Sequence, residues 1–174
     1  MRTTKKITLS AMVVALGAAL MAIGGVVDVF DLSACALASL LIAFVYIEIG
    51  SPYTYLVWIC TTLATFIMFS GSVIWIEYFA VFGIYPILKA YIERTPRFLW
   101  IPIKLVYVNA IIWLLFLASE LFLHEDFWGT DKLLVKIAIY ALLNVAFILY
   151  DIFITVLIRF YFEKLRHRFK NFLK

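Results

Sequence analysis

Three sets of side chains recur at helical spacing inside otherwise apolar sequence, and they are the residues able to bind a ligand or carry charge. The first is Tyr78, Phe82, Tyr85 and Lys89, with Glu77 beside its start. The second is Asn109, Trp113, Phe116 and Glu120, and the third is Lys136, Tyr140, Asn144, Phe147 and Asp151. Steps of three and four residues place each set on one face of a helix. The chemistry this offers is recognition: amides, phenols and carboxylates hydrogen-bond a solute, and lysines pair with carboxylates. The two histidines, His124 and His167, fall in polar segments, so no Ser-His or histidine–metal site can be assembled within the apolar runs. No Walker sequence, GxGxxG or metal-spaced carboxylate cluster occurs. The expectation is a protein that is not an enzyme and that holds neither a cofactor nor a metal.

The elements that must position these residues follow from composition. Of 174 residues 66% are hydrophobic and 15% charged, with a mean hydropathy of +1.06. Soluble domains average roughly 45–50% apolar and 25% charged residues. A core of this size cannot hide so much apolar surface, so lipid is the expected solvent. A bilayer needs about 20 helical residues per crossing, and six runs qualify: 7–27, 32–49, 53–69, 73–91, 102–123 and 133–160. Turn-forming residues separate them, including Gly50-Ser51-Pro52, Ser70-Gly71-Ser72 and Thr95-Pro96. The fold class predicted is therefore all-α, a single six-helix transmembrane domain over 1–174 with a basic amphipathic tail at 161–174. The first run follows Arg2, Lys5 and Lys6 as a signal peptide would, but its length and the prompt second run predict a retained helix. Cys35 and Cys60 lie inside apolar runs and are expected to be small core residues.

Charge sets the expected direction. With both termini cytoplasmic, thirteen of the fifteen basic residues lie inside: Arg2, Lys5, Lys6, Lys89, Arg94, Arg97, Lys104, Arg159, Lys164, Arg166, Arg168, Lys170 and Lys174. Only Lys132 and Lys136 fall outside, near Glu125, Asp126 and Asp131. This obeys the positive-inside rule, and Trp58, Trp75, Trp100 and Trp128 near run ends suit an aromatic belt. The chain is expected to be a multi-pass protein of the cell membrane. Its aromatic and basic tail is expected to lie on anionic lipid rather than on nucleic acid.

Ionisable groups at membrane depth usually face the bundle interior and pair, or line a cavity. Glu77, Glu120 and Lys136 are expected near the outer mouth. Glu48, Lys89, Lys104 and Asp151 are expected in the inner half, with Asn109 and Asn144 nearer the middle. Lys89 is predicted to pair with Asp151 or Glu48, with Pro86 kinking the helix beside it. The alternative is that Lys89 snorkels to the headgroups. Three polar stripes on consecutive helices predict a solute site formed by Glu77, Tyr78, Asn109, Trp113, Glu120, Lys136, Tyr140 and Asn144.

The first two runs carry small residues instead. Ala11, Ala15 and Ala19 recur every fourth position, Ala18, Ala22 and Gly25 form a second row, and Ala34, Ala38, Ser39 and Ala43 follow in the second run. Such rows let helix backbones approach closely in lipid, within the bundle or against a partner.

The short basic N-terminus running into KKITLSAMVVALGAALMAIGG resembles the first helix of the substrate-binding S components of energy-coupling factor (ECF) transporters. The resemblance implies six membrane helices, both ends inside. It further implies docking of an Ala-x-x-x-Ala row, here Ala11, Ala15 and Ala19, on the coupling helices of an ATP-driven energising module, with solute binding on helices four to six. No signature for a particular vitamin or metal is present, and the first outer connector, 28–31, is short for a substrate lid. The leading expectation is thus a substrate-capture subunit taking a small, vitamin-like solute from outside. The alternatives are a non-transport membrane scaffold or assembly protein and a stand-alone ion-coupled carrier, for which no internal repeat is found.

The charge partition generates one test. A cysteine placed at Glu125 should react with a membrane-impermeant maleimide in intact cells, and one at Lys174 only after permeabilisation. Equal labelling of both would refute the topology.

Overall fold

The computed structural model describes residues 3–123 and 133–166. Expectations falling on 124–132 and 167–174, including Trp128, both histidines and most of the basic tail, lie outside the described residues. Every described element is helical, and there is no strand among the described residues. Helix α1 spans Thr3–Val26, and a 3-10 turn, Asp28–Phe30, leads into α2, Asp31–Glu48. Asp31 occupies the first turn of α2, where a negative charge complements the helix dipole. Gly50 then takes φ +102°, a left-handed conformation that side chains resist, and Pro52 opens α3, Ser51–Met68, where its missing N–H costs no helical bond. The long helices α6, Trp100–Leu123, and α7, Leu133–Phe160, follow the fourth run.

That fourth run is not one regular helix. It consists of α4, Ile74–Glu77, a π-helical stretch, Tyr78–Gly83, and α5, Tyr85–Ile92. The irregularity expected at Pro86 therefore lies ahead of it. Proline has no N–H to offer the carbonyl four residues back, so regular bonding fails on its N-terminal side. At Gly83 the Trp58 ring sits where a Cβ would be, and that ring stacks on Phe79 at 4.9 Å. Trp58 thus wedges against the π turn.

Among the described residues four helices are long and apolar enough to cross a membrane: Thr3–Val26, Asp31–Glu48, Arg97–Leu114 and Ile137–Lys164. Helix α3 dilutes its apolar residues with four threonines and two tyrosines, and the fourth run is broken into short pieces.

The chain divides into two compact units, residues 1–88 with 152–174 (unit 1) and residues 89–151 (unit 2). In unit 1, α1 packs on α2 and α3, and the π-helical stretch packs on α2 and α3. The packed face of α1 is Ser10, Val13, Gly17, Met21 and Gly24. A Cβ on Gly24 would lie 2.7 Å from the Ala34 Cβ, and one on Gly17 would lie 3.1 Å from the Thr61 methyl. These glycines, rather than the alanine row, set the helix spacing. Ala11, Ala15 and Ala19 are exposed, whereas Ala34, Ala38, Ser39 and Ala43 of α2 are buried. Cys35 is buried as expected; Cys60 is exposed, because it lies on the face of α3 opposite Thr61 and Thr65. In unit 2 the buried side chains of α6 and α7 include Val108, Ile112, Phe147 and Tyr150, with Tyr107 ringed against Phe147. Trp100 donates its indole N–H to the Thr95 carbonyl at 2.8 Å, closing the turn between α5 and α6.

Substituting Gly24 by Ala should lower the thermal midpoint in detergent, with overpacking costing about 1–3 kcal/mol. Gly71→Ala, where nothing lies within 4 Å, should leave it unchanged. Equal midpoints for the two variants would show that α1 and α2 are not in this close contact.

Candidate functional site

Polar side chains gather at three places. The first, in unit 2, is centred on Asp151. Lys89, only 2% exposed, donates to Asp151 Oδ1 and to the Asp151 backbone carbonyl at 3.3 Å. Its ammonium also lies 3.3 Å from Glu93 Oε1, one helical turn on. Lys104 donates to the other carboxylate oxygen, Oδ2, at 2.7 Å. One aspartate thus serves two ammonium groups. Lys89 is buried on Asp151 and not snorkelled, the first of the two pairings expected for it. Glu93 was legible as the i+4 partner of Lys89; Lys104 carried no such register signal.

The second place, also in unit 2, is an amide–phenol group. Tyr140 donates its hydroxyl to Asn109 Oδ1, and Asn144 Nδ2 reaches the same oxygen at 3.4 Å and the Tyr140 carbonyl at 3.0 Å. Asn109 Nδ2 donates to the Leu105 carbonyl at 2.7 Å. The helical spacing on α6 and α7 therefore brings Asn109, Tyr140 and Asn144 together. Trp113, predicted to join them, is 70% exposed. The side chains of Glu120 and Lys136 lie outside the described residues.

The third place is inside unit 1, where Glu77 and Tyr78 sit. The Glu77 and Asp31 carboxyls are within electrostatic range of each other and of the Cys35 thiol. The Tyr78 phenol is in range of Cys35 and interacts with the Thr61 hydroxyl. Tyr78, Thr61 and Cys35 are all 0% exposed. Neither hydroxyl attains full hydrogen-bond geometry, and Glu77 Oε2 is buried with no protein partner. On α3 the neighbouring hydroxyls of Thr54, Thr62 and Thr65 bond back to carbonyls of their own helix at 2.9–3.0 Å. Thr61 does not. Asp31 was read as part of the first outer connector and Cys35 as a small core residue, and Thr61 was not singled out; the spacing Thr54, Trp58, Thr61, Thr65 on one helical face was the signal that α3 has a polar side.

Glu48, expected as a possible partner for Lys89, is engaged within unit 1. Tyr161 donates its hydroxyl to Glu48 Oε1 at 3.0 Å, and Arg166 Nε lies 3.4 Å from the same oxygen. Tyr161 also meets Phe44 edge-on at 5.6 Å.

Comparison with family models, curated proteins and solved structures returned no match.

The Asp151 group yields an ordering of mutants. Asp151→Ala should destabilise more than Lys89→Ala, because it strands two ammonium groups where the lysine change strands none outright. The double variant should recover part of the summed loss, with a coupling of roughly 0.5–3 kcal/mol for contacting residues. Strictly additive losses in thermal or denaturant unfolding would refute the shared pairing.

Proposed function

We propose that the chain is a solute-capture subunit of a membrane transporter. It crosses the cell membrane six times with both termini in the cytoplasm, and it takes a small solute from the outer side. One observation carries this reading. A residue predicted to bind solute, Glu77, keeps a buried carboxylate oxygen that no protein group satisfies, next to Tyr78, whose phenol meets only the Thr61 hydroxyl. Buried polar atoms are overwhelmingly paired in native proteins, and the exceptions call for a specific explanation; a ligand supplied from outside is one. The π-helical stretch at these residues adds support, since such turns are frequent at functional sites.

The resemblance to ECF S components supports an energising partner. The row Ala11, Ala15 and Ala19 would meet that partner's helices, and its exposure leaves it available for close approach. The subunit would then need no ATPase of its own.

A second reading, a membrane scaffold, is favoured by a different observation. The charges around Asp151 and Glu48 are engaged with one another, as groups that only fix helix packing would be.

The two readings part in one experiment. The tagged chain, purified from its own membranes with mild detergent, should carry a membrane subunit and ATPases. Ala15→Leu should reduce that recovery several-fold while the isolated subunit keeps its thermal midpoint. Loss of folding in Ala15→Leu, together with wild-type protein that never brings an ATPase, would favour the scaffold and sink the transporter reading.

A further inference from the structure

Glu48 marks a second polar assembly of unit 1, one that solute capture does not use. Here α7 continues as a π-helical stretch, Tyr161–Leu165, a turn type frequent at functional sites. Tyr161 fastens it to α2: the hydroxyl donates to Glu48 Oε1 at 3.0 Å, and the ring meets Phe44 edge-on at 5.6 Å. The neighbouring Phe160 and Phe162 stay exposed, and so do Arg159, Glu163 and Lys164. Exposed charges are costly in hydrocarbon and exposed rings are disfavoured in water, so this helix end belongs at headgroup depth.

Two cations lie over rings. The Lys164 ammonium is 5.3 Å from the Phe160 ring centre, and the Arg166 guanidinium is 4.9 Å from that of Phe162. Residues two apart on a helix do not face each other, so these are separate pairs. Arg166 is also held from a second direction. Its Nε is buried, 3.4 Å from Glu48 Oε1, yet its side chain is 38% exposed. Among the described residues no other carboxylate meets Arg166, and none meets Arg159 or Lys164. Lys6, whose ammonium lies 5.6 Å from the Tyr53 ring centre, adds positive charge at the start of α3, just past Glu48. This end of unit 1 therefore has more cations than carboxylates to meet them. A guanidinium seated between a ring and a carboxylate offers its remaining N–H groups as a preformed fork, which matches phosphate oxygens.

We infer that Arg166 binds the phosphate of an anionic phospholipid, with the Phe162 ring against the adjoining part of the lipid. This narrows the anionic lipid expected around the tail to one headgroup on one arginine. Glu48 and Tyr161 act as positioning residues, because they hold the π-helical stretch and the buried side of the guanidinium. Lys6, Arg159 and Lys164 raise the local concentration of anionic lipid without contacting this headgroup. The site stands whether or not the chain captures a solute.

The test uses the full chain in a non-ionic detergent. A ligand bound only by the folded state raises the thermal midpoint saturably. Phosphatidylglycerol should do so, and phosphatidylcholine at the same mole fraction should not. The half-saturating mole fraction should rise about tenfold or more in Arg166→Gln, the worth of a charge-assisted hydrogen bond. It should rise several-fold in Arg166→Lys and in Tyr161→Phe, which leave the net charge unchanged. Lys164→Gln, with the same charge change as Arg166→Gln, should move it far less. Should Arg166→Gln not fold, Arg166→Lys and Tyr161→Phe carry the comparison. Equal losses in Arg166→Gln and Lys164→Gln, with none in the charge-preserving variants, mean diffuse attraction and overturn the site. An equal shift with phosphatidylcholine, or no shift with either lipid, overturns it as well. A shift reproduced by glycerol 3-phosphate alone assigns a free phosphate and overturns the lipid.

Discussion

The sharing of Asp151 between Lys89 and Lys104 is the interaction on which unit 2 depends. Lys89 is the first residue of that unit and Asp151 the last, so their bond ties the points at which the chain enters and leaves it. Lys104 adds a strand of the same tie from the start of α6. An aspartate in apolar surroundings needs its charge met, and two long, flexible ammonium side chains can meet it from different helices. Glu93 balances the second positive charge from one turn away. The group is therefore close to neutral as a whole, which is the condition under which ionised side chains persist at low dielectric. The amide–phenol group of Asn109, Tyr140 and Asn144 then joins α6 to α7 by neutral bonds further along the same two helices.

Unit 1 is held differently. Its helices approach through glycine and alanine, and its polar atoms are mostly hydroxyls bonded back into their own helices. Close backbone contact replaces charge as the organising force, as expected where lipid removes the hydrophobic drive between helices. Large side chains enter this contact where glycine leaves room, the Phe69 ring at Gly25 and the Trp58 ring at Gly83 beside Phe79, and at the latter the fourth run widens into a π turn.

Much of this was legible in the sequence. Apolar run lengths gave the helices, glycine and proline gave their ends, and three-and-four spacing brought Asn109, Tyr140 and Asn144 to one place. The pairing of Lys89 with Asp151 followed from matched depth and a side chain too short to reach water. What was not legible shares a physical cause. The π turn lies where Pro86 interrupts regular bonding and where the Trp58 ring seats against Gly83, and the second of these is a tertiary contact that no local pattern reports. Lys104 entered the Asp151 group because α6 presents it there, a matter of helix rotation. The packing row of α1 proved to be Gly17 and Gly24 rather than the alanines, since spacing alone cannot say which of two small faces turns inward. Thr61 was hidden because threonine in a membrane helix normally satisfies itself, and only the three-dimensional arrangement distinguishes the one that does not.

The bond between Tyr161 and Glu48 spans 113 residues of sequence. At a synthesis rate of roughly 5–20 residues per second, the carboxylate at the end of α2 leaves the ribosome several seconds before its phenol partner exists. Glu48 must meanwhile be accommodated by water or headgroups, and the end of α2 stays unlatched while α3 to α7 are made. Closure of that end is thus a late event in biogenesis, set by the synthesis of α7 and the turn after it. Tyr161 acts in this sense as a clasp that fastens α2 only after α7 has arrived.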